Sequence, residues 1–387
     1  MNGEPSVGRR VAYWRTRRRL TQQMFADRLG KSKSWVDKVD RGVRRLDRWS
    51  VLREVADALD VTPDLLLGEA TPLTPHHPAD EQAATLDPVR AALTRHPGLL
   101  PPQGCAPVDP DRYQLRLAHA DAAYQHARYP ALLRLLPGLL DDAHHHDITA
   151  DQRVQVYRLT AQVTVKLGAT ELAWLAADRA LAVATATDDP MLGAVAAVPF
   201  GQALRAAGRP RAAFETAITA AHQVAPLTDD PGTAAERSAC AALLVQAAAE
   251  HGDPPTARDL LDDAITLTEP DEPGRAAVDA AKVTATVALG DHRAAVDLHE
   301  TLTAQPGWRD LPIEHRAAYL LDVAGAYLAA GDPRGASRAL RDADRLAPTE
   351  VRVRPAGRAV LADVLARSPS PDPHLVALAE AARVTGA

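Results

Sequence analysis

The chain has 387 residues, which is too long for one compact hydrophobic core, so we expect at least two structural units. Aromatic residues make up only 4% of it, which favours closely packed helices over sheets and predicts an all-α fold. Two cysteines exclude a disulfide framework, and no apolar run reaches the length of a membrane span, so we expect a cytoplasmic protein without membrane contact.

The charge is distributed unevenly along the chain. Residues 1–53 contain 15 Lys and Arg against 5 Asp and Glu, a net charge of +10, although the whole chain carries −6. A basic head on an acidic body indicates that a polyanion binds at one end.

Five short helices are predicted in the first 70 residues. Thr21 and Ser32 are placed as caps of the second and third helices, and Gly30 and Gly42 as their ends. In the second helix we expect Met24, Phe25 and Leu29 to face the core. Two short helices joined by a turn with Gly are typical of a helix-turn-helix motif. The predicted helices span residues 7–18, 22–29, 33–41, 47–59 and 62–68.

A family resemblance follows from these residues. The stretches LTQQMFADRLG, from Leu20 to Gly30, and SKSWVDKVDRG, from Ser32 to Gly42, resemble the Xre family of phage-repressor-like DNA-binding domains. The resemblance covers about residues 7–68. It implies a five-helix domain whose third helix enters the major groove of double-stranded DNA.

The third helix has one face that fits this role. Val36 and Val39 must pack inward, which turns Lys33, Ser34 and Lys38 outward. Lys33 and Ser34 can donate to base edges, and the basic residues after the helix suit phosphates. A merely solvated basic face is the alternative. Asp37 is expected to accept from cytosine or to pair with Lys33 or Lys38. The predicted DNA-binding residues are Gln22, Gln23, Ser32, Lys33, Ser34, Trp35, Lys38, Arg41, Arg44 and Arg45.

Residues 71–110 are rich in Pro, His and Gly, which is typical of a linker. Within it, Asp87 and Pro88 can start a short helix over residues 89–95. The composition therefore divides the chain into a DNA-binding domain at 1–70, this linker, and a helical domain at 111–387.

The helical domain is periodic. Glycines recur about every 40 residues, each after an apolar helical stretch, at Gly168, Gly208, Gly252, Gly290 and Gly331. Five residues after each glycine stands an alanine, at Ala173, Ala213, Ala257, Ala295 and Ala336. Small residues at these offsets resemble the tetratricopeptide repeat (TPR), which implies a right-handed TPR-like α-solenoid. About seven helix pairs are expected, the first at 112–144 and the last at 349–384.

A head of this kind on such an array resembles actinobacterial regulators and, more distantly, the peptide-pheromone receptors of Gram-positive bacteria. The resemblance implies a ligand in the concave groove of the array. The receptors hold the peptide with asparagines, whereas the only Asn of this chain is Asn2. Three repeats instead carry Gln six residues before the turn glycine, which predicts a ladder of amides along the groove. Two arginines lie beside this ladder and two leucines lie further along. The alternative is that these are polar residues that face a water-filled groove. The predicted groove residues are Arg158, Gln162, Gln202, Arg205, Gln246, Leu321 and Leu328.

The sequence contains no motif for nucleotide binding, hydrolysis or metal ligation, so no catalytic residue, cofactor or metal is predicted. The run from Asp141 to Asp147 contains three histidines, which suit either a metal or, as we expect, a solvated helix end. The predicted function is a homodimeric transcription regulator that binds double-stranded DNA and senses a peptide, a small molecule or a protein. The alternative is an interaction scaffold or antitoxin-like protein with secondary DNA binding.

Overall fold

The computed structural model describes residues 7–18, 20–44, 46, 49–59, 66, 78–95, 108–225, 233–250, 253–269, 274–368, 370–382 and 384. Throughout these residues the regular elements are helices, and none of them is a strand. The chain divides into two compact units, Met1–His77 and Pro78–Ala387. No helix in the described ranges is both long and apolar enough to cross a membrane.

The first unit contains four described helices, and their bounds agree with the prediction to within one or two residues. The fifth predicted helix lies outside the described residues, apart from the buried Leu66. Phe25, Val36 and Val55 belong to a single apolar core in this unit. The helices are α1 (Val7–Arg17), α2 (Gln22–Arg28), α3 (Lys33–Asp40) and α4 (Trp49–Leu59).

The second unit consists of helices that pair in sequence order. It begins with α5 (Pro78–Thr94) and continues as α6 (Pro110–Gln125), α7 (Tyr129–Asp142), α8 (Ala150–Lys166), α9 (Thr170–Thr185), α10 (Pro190–Ala206), α11 (Pro210–Val224), α12 (Ala234–Glu250), α13 (Pro254–Thr266), α14 (Arg275–Ala288), α15 (His292–Ala304), α16 (Ile313–Ala329), α17 (Pro333–Leu346), α18 (Pro348–Arg352), α19 (Pro355–Arg367) and α20 (Pro373–Ala381). Each first helix of a pair, from α8 to α16, packs on its own partner and on the first helix of the next pair. This is the TPR-like solenoid arrangement that the sequence predicts.

The glycine and alanine spacing has a direct structural cause. Gly168, Gly208, Gly290 and Gly331 have φ between 72° and 84°, a left-handed conformation that lets the chain turn from one helix of a pair into the other. Gly252 lies outside the described residues. The five alanines that follow the glycines by five positions are at most 1% exposed. Their small side chains therefore let paired helices approach closely.

The predicted linker differs from the structure in one respect. The short helix expected at 89–95 is the end of α5, which begins at Pro78, and Pro88 lies inside it. Val89 and Leu93 are fully buried because α5 packs against α7. Burial of these apolar side chains against the array is more favourable than their exposure to water in a solvated linker. The described part of the segment therefore belongs to the repeat unit.

The repeat unit also makes contacts between its two ends. Helix α6 packs against α16, and Ala317 and Ala347 join the same apolar core as Tyr129 and Leu159 near the start of the array. The repeats thus curve until the first pair meets α16 and the start of α18.

Candidate DNA interface and repeat groove

Helix α3 has one buried face and one open face. Val36 and Val39 are at most 1% exposed, whereas Lys33, Ser34 and Lys38 are exposed. This division places the predicted base-contacting side chains on the side of α3 that leaves the core. Trp35 is half-buried at the margin, as expected.

Local capping fixes where α3 begins. The Ser32 hydroxyl accepts a hydrogen bond from the Trp35 amide at 3.2 Å, and Thr21 does the same for the Met24 amide at 3.1 Å. Ser32 therefore acts as a helix cap in the DNA-free chain, and its exposed position still leaves it at the predicted interface. Met24 is 48% exposed, so the prediction that it faces the core is wrong. Phe25 and Ala26 fill that part of the core instead.

The basic residues after α3 have specific partners. Arg41 pairs with Asp37 one helical turn away, so the expectation that Asp37 pairs with Lys33 or Lys38 is corrected. Because the guanidinium neutralises this carboxylate, its repulsion of phosphate is reduced. The Arg44 guanidinium lies 5.7 Å from the centre of the Trp35 ring, a cation–π contact that holds it beside α3. Arg45 lies outside the described residues.

A buried carboxylate that the sequence analysis missed joins the helices of this unit. The Asp40 side chain is only 7% exposed, and its Oδ2 accepts from Arg15 Nη2 at 2.8 Å and from Gln22 Nε2 at 3.0 Å. An acidic residue in the last turn of a helix opposes the helix dipole, which is the sequence signal for such a partner. Gln22, predicted to contact DNA, thus holds Asp40, while Gln23 donates to Asp27 at 2.8 Å on the surface.

Helix α1 approaches α3 through a glycine. A Cβ atom on Gly8 would lie 2.1 Å from the carbonyl oxygen of Val39, a distance that no side chain can occupy. The backbone of α3 therefore rests directly on α1, and this close approach brings Arg15 within reach of Asp40.

In the repeat unit the predicted amide ladder does not form three equal rungs. Arg158 donates to Gln162 at 2.9 Å and to Asp121 at 2.6 Å, so the Gln162 carbonyl is already occupied. Gln202 is half-buried and Arg205 is exposed. The amide of Gln246 is buried over Gly201 and has no hydrogen-bond partner among the described residues, which corrects its placement in an open groove.

Two further groove predictions are wrong. Leu321 and Leu328 are 2% and 6% exposed and belong to the core of the last pairs. Both side chains pack in a core that α16 shares with the neighbouring helices of the array. Neither side chain can contact a ligand in this arrangement.

A cluster of buried charges lies where the two ends of the array meet. Glu350 is fully buried; it accepts from the Tyr129 hydroxyl, and it lies 3.3 Å from Lys166 Nζ and 2.8 Å from Arg354 Nη1. Lys166 also pairs with Glu314. Burial alone would raise the pKa of Glu350, but Lys166 and Arg354 lower it below its usual value. The carboxylate is thus ionised and links the first pairs to the last.

The histidine run offers a possible metal-ligand set. One atom each of His145, His146 and Asp147 lie within 4.8 Å of one another. The Asp147 carboxylate already lies 3.0 Å from His145 Nδ1 and 3.1 Å from His146 Nε2. These contacts are those of a polar turn after α7, and the expectation that no metal binds here stays a prediction.

Comparison with known proteins gives one family match. Residues 6–67 match a family model described as a helix-turn-helix domain. A comparison with curated protein sequences gave no match to this chain.

Two solved structures are similar at low identity. PlcR of Bacillus thuringiensis, in complex with the peptide PapR7 and DNA, is 14% identical, with coverage of 68% of this chain and 94% of that chain and a TM-score of 0.35. Aspartyl phosphate phosphatase F of Bacillus subtilis is 13% identical, with coverage of 92% and 97% and a TM-score of 0.45. These values are too low to assign a shared function. By its family match and its geometry, the first unit is a helix-turn-helix domain, and the second is a TPR-like helical array.

Proposed function

We propose that the protein is a sequence-specific, DNA-binding regulator of transcription. The observation that carries the proposal is the open face of α3, where Lys33, Ser34 and Lys38 are exposed on a helix whose other face is buried. In helix-turn-helix domains the N-terminal residues of this helix reach base edges in the major groove. The net charge of +10 over residues 1–53 supports binding to a polyanion.

The exposed residues divide into two roles. Lys33 and Ser34, in the first turn of α3, read bases, since ammonium and hydroxyl groups donate to purine acceptors. Arg41 and Arg44 follow the helix and contact phosphates, as does Gln23 at the start of α2. Gln22 acts through Asp40, by holding α2 against α3.

The repeat array is the sensing part of the proposed regulator. Its groove is expected to take a peptide, a small molecule or a protein partner. Of the predicted residues, Arg205 is exposed and Gln202 is half-buried. A single domain reads few base pairs, so we propose a homodimer that binds an inverted repeat with half-sites about 34 Å apart. No catalytic role is proposed for either unit.

The DNA-binding role can be tested with operators selected from a random duplex pool. Lys33→Ala should cost about 1–3 kcal/mol in affinity for the selected operator and relax its sequence preference, as measured by fluorescence anisotropy with competitor DNA. Lys282→Ala removes the same charge from the repeat unit and is the matched control. If the two variants bind and discriminate alike, α3 does not read the bases.

The sensing role needs a separate measurement. Gln202→Ala and Arg205→Ala should each reduce the effect of a ligand on operator affinity while operator binding without ligand stays intact. Light scattering of the free and DNA-bound protein tests the dimer. A monomer in both states would contradict that part of the proposal.

A further inference from the structure

Helix α17 is sharply divided between an apolar and a cationic face. Ala336, Ala339 and Leu340 are buried against the array, while arginines follow one another at helical spacing on the opposite face. These arginines are Arg334, Arg338, Arg341 and Arg345. The first three line a cavity of about 590 Å³ between α17 and the chain that joins α19 to α20.

The carboxylates beside this cavity do not fully satisfy its arginines. Asp332 and Asp372 each use one oxygen to cap a helix, and their other oxygens lie 3.8 Å from Arg338 and 3.2 Å from Arg341. Among the described residues, Arg334 forms no ion pair. Three cations therefore face two carboxylates at the wall of the cavity.

One donor in the wall has no acceptor. The Nε atom of Arg341 is buried and without a hydrogen-bond partner among the described residues. Burying such a donor unpaired costs free energy, but the atom has no accessible surface, so an anion in the cavity would meet the Nη atoms of Arg341 instead. Ser337 and Ser368 give their hydroxyl protons to helix carbonyls, which leaves the guanidinium groups and the Ser370 hydroxyl as the donors of the site.

We propose that this cavity binds a small organic oxyanion, a molecule with a phosphate or carboxylate group on a compact apolar body. The planar guanidinium fork matches both oxyanions in geometry. Pro333, Pro371 and Pro373 supply the apolar part of the wall. A volume of about 590 Å³ lies in the range of small-molecule sites. The site goes beyond the proposed regulator function and does not depend on it, because binding here involves no residue of the first unit.

The test is calorimetric titration of the full chain with sodium pyrophosphate and, separately, with sodium citrate at matched ionic strength. Saturable binding of at least one probe with a dissociation constant below about 1 mM is expected. Tighter binding of pyrophosphate indicates a phosphate ester as the natural ligand, and tighter binding of citrate indicates a carboxylic acid. Absence of saturable binding by both probes overturns the proposal.

Arginine variants distinguish the cavity from general charge attraction. Arg338→Gln and Arg341→Gln should each weaken binding by about 10-fold to 100-fold, as expected for a lost charged hydrogen bond. Arg345→Gln is the matched control, because Arg345 lies on the same helix, pairs with Asp342 and does not line the cavity. Equal weakening in all three variants would overturn the site. Arg338 is 59% exposed in its side chain, so its replacement leaves the packing of α17 intact.

Discussion

Both units of the protein bury a carboxylate among cationic and polar partners. The two carboxylates differ in how far along the chain their partners lie. Asp40 holds Arg15 and Gln22, which precede it by 25 and 18 residues. Glu350 holds Tyr129, which precedes it by 221 residues. The first carboxylate joins neighbouring helices around α3, whereas the second joins α18 to α7 and α8 near the start of the array. The same chemistry therefore serves local orientation in one unit and long-range closure in the other.

The largest effect is expected for Glu350→Gln. The change leaves Lys166 and Arg354 without their buried counter-charge, so we expect a loss of about 3–5 kcal/mol in the unfolding free energy of the repeat unit. Because the link between the array ends is weakened, the radius of gyration measured by small-angle X-ray scattering should rise. Glu380→Gln, on the exposed surface of α20, is the control. A cost below about 1 kcal/mol would mean that the apolar contacts alone close the array.

Gly8→Ala removes no polar contact, yet it should strongly lower the unfolding free energy of the first unit. The new methyl group would meet the Val39 carbonyl, forcing α1 away from α3 at a cost of about 3 kcal/mol. Chemical denaturation followed through the tryptophans measures this loss. Gly193→Ala in α10, where the added atom meets nothing within 4 Å, should instead stabilise the repeat unit by about 0.5–1 kcal/mol. Similar effects of the two variants would refute the close helix approach.

Asp40→Asn tests whether the local carboxylate matters as much as we infer. Loss of the charged hydrogen bonds from Arg15 and Gln22 should cost the first unit about 2–3 kcal/mol. Operator affinity should fall without a change in base preference, because Asp40 positions α3 and does not contact bases. Asp27→Asn, an exposed residue of α2, should have little effect on either property. A changed base preference in Asp40→Asn would assign it a reading role.

The smallest effect concerns His299, which is buried and has no carboxylate partner among the described residues. Its Nδ1 lies 3.0 Å from the Tyr319 hydroxyl, and burial lowers the pKa of His299 to about 4. Because the unfolded chain has the higher pKa, near 6.5, it takes up the proton first, and stability falls as the pH drops from about 6.5 to about 4. Between about pH 7 and about pH 5 the loss should be about 2 kcal/mol. His299→Gln should remove this slope in denaturation curves, and an unchanged slope would assign it to another group.

Several features of the protein could be read from the sequence because their causes are local. A side-chain hydroxyl can cap a helix by accepting a hydrogen bond from a backbone amide two or three residues later, whatever the rest of the fold. Thr21 and Ser32 therefore mark the starts of α2 and α3 correctly. The recurring glycines and the alanines after them also act within one pair of helices. The inward faces of Val36 and Val39 follow from helical periodicity alone.

Other features depended on groups far apart in the chain, and only the tertiary structure decided them. The repeat spacing predicts three equivalent glutamines. It does not show that Arg158 donates to the amide of Gln162 or that Gln246 is buried. No sequence pattern singles out Glu350, because its partners on α7 and α8 approach only when the array curves back on itself. Local sequence fixes backbone conformation over a few residues, whereas the burial of a charge depends on the summed curvature of all the repeats between its partners.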